Sequence, residues 1–213
     1  MASDEAVDPW QEFCERLKRA GRVLAKPGLP PDELTRAEGY RHLARLVHMG
    51  WMAGFELADP ERPQMVRAVS RHMLGEGETS DARYEHAFID GTSTYRVRGR
   101  RGTAPFIEFT VYAGKIGLQD TSRHIGHLLE SDLVVGADGR YEVVLSPRPH
   151  PVNWIRTEPG ASQLYVRQYA HDWSLAEPAT FEIEREGGAP PRAPLRVDEV
   201  REGLLRTADF VDR

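Results

Sequence analysis

The stretch Ile89-Asp90-Gly91-Thr92-Ser93-Thr94-Tyr95-Arg96-Val97-Arg98 decides the fold. A turn pair, Asp-Gly, is followed by strict alternation of apolar and charged residues, the mark of a strand with one buried face. Working outward, the rhythm changes near residue 84: helix-like spacing lies before it, and strand-forming runs continue to about residue 185. The runs are Tyr95–Arg98, Phe106–Tyr112, Tyr141–Leu145, Leu164–Tyr169 and Phe181–Ile183, separated by Gly, Pro and Asp-Gly breaks. Asp90-Gly91 and Asp138-Gly139 read as hairpin turns, with glycine supplying a positive φ. Long helical crossovers are missing, so the strands are expected to be antiparallel.

The chain has 213 residues, 40% of them hydrophobic, enough for one domain with helical attachments. Net charge is −5 with both signs mixed, which excludes a long-range pull on nucleic acid. No run approaches the roughly 18 apolar residues of a membrane span, and residues 1–5 are acidic rather than signal-like. A cytoplasmic location is expected. The lone cysteine, Cys14, excludes an intrachain disulfide and is expected to be buried on a helix.

Asp8-Pro9 opens a helix running to about Ala25, with Trp10, Phe13, Leu17 and Leu24 on one stripe. A second helix runs from Asp32 to Asp59, and its Gly50 and Gly54 cost roughly 1 kcal/mol each against alanine, so a close packing partner, or else a ligand, is expected there. Residues 62–75 suit either a short helix or a strand. Gly75-Glu76-Gly77 lacks the Gly-Lys-Ser/Thr ending of a phosphate-binding loop. Residues 197–211 are helical again, after a linker at 187–194. The expected organisation is a helical region over 1–79, a β-sandwich domain over 80–186, and a linker with a C-terminal helix over 187–213. The class is α+β: an antiparallel, jelly-roll-like β-sandwich with two N-terminal helices and one C-terminal helix packed on it.

Several strings carry a family likeness: Ile89-Asp90-Gly91, Tyr95-Arg96-Val97-Arg98-Gly99, Ala137 to Ser146, Asn153-Trp154-Ile155, and Leu164 to Tyr169. Their order over about residues 80–186 resembles the domain-of-unknown-function family catalogued as "twelve-fourteen". The resemblance implies a β-sandwich with helical flanks, in bacterial proteins of unsettled activity, and transfers no catalytic residue.

Candidate chemistry falls in four places. Arg96, Arg98 and Arg100 share one strand face, to be weighed as a solvated face or an anion site. His124, His127 and Glu130 approximate a cupin-type metal motif, with His150 and His171 as distant ligands. In a regular strand His124 and His127 point to opposite faces, so only a helical turn or loop is expected to converge them on an ion. Along the run ending Arg167-Gln168-Tyr169-Ala170-His171, alternation sends Arg167, Tyr169 and His171 to one side, where a guanidinium clamps a carboxylate and an imidazole moves a proton. Asp81, Tyr84, Glu85, His86 and Asp90 gather at the entry to the β body.

The expected function is binding of a small organic molecule, between the sandwich and the second helix, by Trp51, Phe55, Tyr95 and Trp154. A catalytic form would be a cofactor-independent lyase, isomerase or hydrolase, with His171 as proton carrier, Arg167 as anion clamp and Tyr169 beside them. The competing readings are a non-catalytic interaction module, with a homodimer as its candidate form, and a cupin-like metal enzyme. Neither nucleic acid nor membrane is an expected partner.

Overall fold

The computed structural model describes residues 8–68, 70, 79–114 and 122–212. The chain divides into a helical unit, made of residues up to Glu56 and from Arg192 onward, and a β unit between Leu57 and Pro191. Gly75-Glu76-Gly77 lies outside the described residues.

In the helical unit, α1 (Pro9–Ala20) starts where the Asp8 carboxylate accepts hydrogen bonds from the backbone N–H of Trp10 (2.8 Å) and Gln11 (3.1 Å). Asp32 caps α2 (Glu33–Trp51) in the same way, accepting from the Thr35 N–H at 2.8 Å. The helix then loosens into a π-type turn, Met52–Glu56. That turn does not leave the Gly54 carbonyl bare: Arg206 Nε donates to it at 2.8 Å. Arg206 belongs to α3 (Val197–Val211), which joins α1 and α2 around Phe13, Leu204 and Ala208.

The packing partner expected at Gly50 and Gly54 is α3. A Cβ on Gly50 would lie 3.1 Å from the Thr207 carbonyl oxygen, and one on Gly54 3.3 Å from Arg206 Cβ. The third contact of this kind is reciprocal, with Phe55 resting where a Cβ on Gly203 would be. Cys14 departs from expectation. It faces solvent, because the α1 stripe that is buried passes through Phe13 and Ala20 instead.

Among the described residues the β unit has nine strands: β1 (Val66–Arg67), β2 (Ala82–Phe88), β3 (Tyr95–Arg100), β4 (Phe106–Ala113), β5 (Arg123–Leu129), β6 (Arg140–Ser146), β7 (Trp154–Arg156), β8 (Ala161–Tyr169) and β9 (Glu182–Arg185). They form a five-stranded sheet, β1-β2-β8-β4-β5, and a four-stranded sheet, β7-β6-β3-β9. Every pair is antiparallel except β6 with β7, which is parallel. Both sheets contribute to one apolar core. Ile107, Phe109, Val111, Leu164 and Val166 enter it from the larger sheet, and Tyr95, Val97, Val143 and Leu145 from the smaller. Each such side chain contributes about 1.5–3 kcal/mol by leaving water.

Neither expected hairpin turn is one, since β2 and β3, and likewise β5 and β6, belong to different sheets. Gly139 has the positive φ expected of it (+78°). Gly91 is required for another reason: a Cβ there would fall 2.0 Å from the Glu158 carbonyl oxygen, so only glycine admits that chain. Asp90 closes the turn by accepting from the Thr92 N–H (3.0 Å) and the Thr92 hydroxyl (2.8 Å). At one side the sheets meet directly, for β5 touches β7 and a Cβ on Gly126 would stand 3.1 Å from the Arg156 carbonyl oxygen. Among the described residues no helix is long and apolar enough to cross a membrane.

Candidate functional site

Registers between β2, β8, β4 and β5 place three rows of side chains on the outer face of the five-stranded sheet. Tyr84, Arg167 and Glu108 form one; His86, Tyr165, Thr110 and His127 the next; Phe88, Gln163, Tyr112 and His124 the third. The opposite set on the same strands, Val166, Leu164, Phe109 and Val111, is core. A single alternation thus serves both purposes.

Arg167 stands at the centre. Its guanidinium donates to the Tyr112 hydroxyl (3.0 Å) and to Thr110 Oγ1 (3.4 Å), and lies 5.6 Å from the Tyr165 ring centre and 5.8 Å from that of Tyr112. Its carboxylate partner is Glu108, at 3.7 Å, a distance that leaves the pair loose. Burial works against the guanidinium charge, but the Tyr112 hydrogen bond and the Glu108 field outweigh it and raise the pKa above the usual value. Arg167 is therefore a permanent cation. Burial raises the Tyr165 pKa, and the hydrogen bond with Tyr84 (3.5 Å between hydroxyls) together with burial raises that of Tyr169. Both phenols are neutral at pH 7 and act as hydrogen-bonding groups.

His86 is buried on this face. Gln163 Nε2 lies 3.1 Å from its Nδ1, and burial depresses its pKa to about 4. At neutral pH the ring is uncharged, so the amide donates to Nδ1 and the hydrogen sits on Nε2. That Nε2 has no partner among the described residues.

At the outer strand, Val111 pairs with Gly126 and Tyr112 with His124, which makes Ile125 an extra residue in β5. The β-bulge resets the alternation. His124 and His127 therefore share a face, against the expectation that a strand would separate them, and their ring centres are 5.2 Å apart. Glu130 does not join them. It lies in a short 3-10 turn and pairs with Arg101. Among the described residues no group of three or more metal-ligating side chains converges.

The other expected residues are dispersed. Tyr169 is on the Arg167 face, packed edge-on against Phe106 at 5.5 Å. Strand β8 ends there, so the alternation that would carry His171 onto the row stops two residues short, and His171 is exposed beyond it. Tyr95 is fully buried in the core, its hydroxyl accepting from the Asp90 N–H and donating to the Pro60 carbonyl, both at 2.8 Å. Trp154 is on the four-stranded sheet and donates from Nε1 to the Ser146 carbonyl (3.1 Å). Trp51 and Phe55 stack at 4.5 Å within the helical unit, with Trp51 Nε1 donating to Glu56 (3.0 Å). Of the third group, Glu85 points to the core side of β2, where burial raises its pKa against a long hydrogen bond from Gln168 (3.4 Å). Tyr84 and His86 point the other way.

The Arg96–Arg98–Arg100 face also resolves. Glu142 accepts from Arg96 (2.6 Å) and Arg98 (2.7 Å), and Glu184 from Arg98 (2.9 Å). A groove of about 670 Å³ runs over this sheet between Arg98, Arg100, Arg140, Val134 and Val152. Its wall is fixed by Asn153, whose side chain bonds Val134 N, Val134 O and Glu142 O while its φ is +48°.

Glu108, Thr110, Tyr112 and Tyr165 were absent from the sequence-based set. A signal was present, since Glu108, Thr110 and Tyr112 alternate with Ile107, Phe109 and Val111. It gains meaning only when β4 is known to lie beside β8.

Fold and face together define an α+β protein in which the five-stranded sheet turns a polar, aromatic face away from the shared core. No family model matches the chain, and no curated protein matches it. Among solved structures, it is similar to an uncharacterized protein from Burkholderia cenocepacia, with 36% identity and a TM-score of 0.89 over 96% of this chain. This chain spans 57% of that protein's length. A Vibrio parahaemolyticus protein aligns with 75% of this chain and 47% of its own, at 18% identity and a TM-score of 0.43.

Proposed function

We propose that the outer face of the five-stranded sheet binds a small organic molecule bearing an anionic group. Arg167 carries the reading: it is a half-buried, permanently charged guanidinium set among hydroxyls and rings, and among the described residues its carboxylate partner, Glu108, stands 3.7 Å away. A ligand carboxylate offers the planar, two-oxygen partner that Glu108 at that distance does not. Tyr84, Tyr112, Tyr165 and Tyr169 supply apolar area with polar tips for the rest of the molecule.

Native mass spectra of the purified protein, followed by calorimetric titration with aromatic and aliphatic carboxylates, test this. The expected result is a carboxylate that binds one per chain and loses at least about tenfold in affinity in Arg167→Met. Arg167→Met/Glu108→Gln, which leaves no unmatched charge, is expected to stay folded and to show the same loss. Failure of every carboxylate to bind below about 1 mM, or equal binding by the double variant, overturns the proposal.

The same proposal takes the two sheets as a β-sandwich, of jelly-roll type, and residues 80–186 as a relative of the "twelve-fourteen" family; the order of the quoted motifs supports it. A cytoplasmic location is supported by the single cysteine. One observation favours the association reading, with a homodimer as its form: Trp10, Leu34 and Tyr40 of the helical unit are all more than half exposed. Sedimentation at rising concentration checks it, and a monomer throughout removes it.

A further inference from the structure

We propose that His124 and His127 form a binding site for one divalent transition-metal ion at the outer edge of the five-stranded sheet, with its remaining coordination positions open. Without the bulge at Ile125 the two imidazoles would lie on opposite faces of β5. Bulges beside functional sites commonly re-aim a side chain, and here the re-aimed pair is the one with ligating capacity.

The spacing fits an ion without backbone movement. An imidazole nitrogen binds zinc at about 2.1 Å, which puts the ring centre about 3.2 Å from the metal; two such rings at a tetrahedral angle stand about 5 Å apart. The observed separation is 5.2 Å, with the ring planes tilted by 44°. Both rings are exposed, so an ion can enter and water can complete its shell. Neighbouring charges do not obstruct this. Arg123, next in sequence, is drawn to Glu158 (2.6 Å), and Glu130 is held by Arg101.

Imidazole favours zinc, nickel and copper over magnesium and calcium. With two protein ligands the site is weaker than a three- or four-ligand zinc centre, with a Kd on the order of 10 µM. The His124 ring meets Tyr112 edge-on at 5.9 Å, and Tyr112 accepts the Arg167 hydrogen bond. One side chain therefore links the ion's ligand to the guanidinium. The site does not depend on the carboxylate reading.

The test is calorimetric titration of the full, metal-stripped chain with Zn²⁺ alone. The expected result is one ion per chain, with at least tenfold weaker binding in His124→Ala and in His127→Ala and unchanged binding in Glu130→Gln. Far-ultraviolet circular dichroism checks that these exposed-site variants remain folded. Absence of binding up to 1 mM Zn²⁺, or affinity that survives both histidine substitutions, overturns the proposal. Arg167→Met is titrated with Zn²⁺ and with the carboxylate separately, so the two readings can fail independently.

Discussion

The outer faces of the two sheets carry the same cation and use it in opposite ways. On the four-stranded sheet, Arg96 and Arg98 meet Glu142 and Glu184 across the strands at 2.6–2.9 Å, and these four side chains form a charge ladder. On the five-stranded sheet, Arg167 meets tyrosines and a threonine, and its carboxylate is too distant to satisfy it. Arginine on a strand is therefore not a signal in itself. Both arginines face a glutamate one strand away, and the distance between them, 2.7 Å for Arg98 and Glu142 against 3.7 Å for Arg167 and Glu108, decides how closely the charge is matched.

The largest expected effect lies in the smaller sheet's backbone. A Cβ at Gly99 would lie 1.8 Å from the Thr180 carbonyl oxygen, a backbone atom that cannot yield. Gly99→Ala is expected to destabilise by about 3 kcal/mol or more, read as a lowered urea midpoint.

Next comes acid. His86, on the larger sheet's face, has its pKa depressed by burial from 6.5 to about 4, so it stays neutral in the fold while the unfolded chain takes up a proton below 6.5. Stability is full above pH 6.5 and falls by up to about 3 kcal/mol as the pH drops to 4. Urea midpoints at pH 7 and pH 5 should show that His86→Gln flattens this slope.

The direct contrast is smaller. Arg98→Met on the ladder is expected to leave carboxylate affinity unchanged and to alter stability by under about 1 kcal/mol, since exposed pairs contribute little. Arg167→Met moves affinity at least about tenfold, or roughly 1.4 kcal/mol, and similar effects of the two variants would erase the distinction.

Much of the fold was legible because β3 alternates strictly and because Ile107, Phe109 and Val111 in β4 and Leu164 and Val166 in β8 recur at every second position, while β6 shows as the apolar run Val143-Val144-Leu145. Strand β5 was not, because its bulge shifts the phase at Ile125 and its Gly126 looks like a break. In β2 the charged Arg83 and Glu85 take the side of the core, which inverts the usual pattern. The site was half legible. Arg167 and Tyr169 could be placed on one face from β8 alone, but Glu108, Thr110, Tyr112 and the histidine pair depend on which strands are neighbours, and local spacing holds no record of that.

The contact between β5 and β7 has a consequence for survival at high concentration. Sheet edges expose unpaired backbone amides and carbonyls, templates on which other chains can add strands and build aggregates. Where Gly126 lets the Arg156 backbone draw close, two of the four edges screen each other. Of the remaining two, β9 spells Glu182-Ile183-Glu184-Arg185, whose charges repel a stacking copy. A valine at position 126 would push the screened edges apart and turn a protected seam into a nucleus for insoluble material.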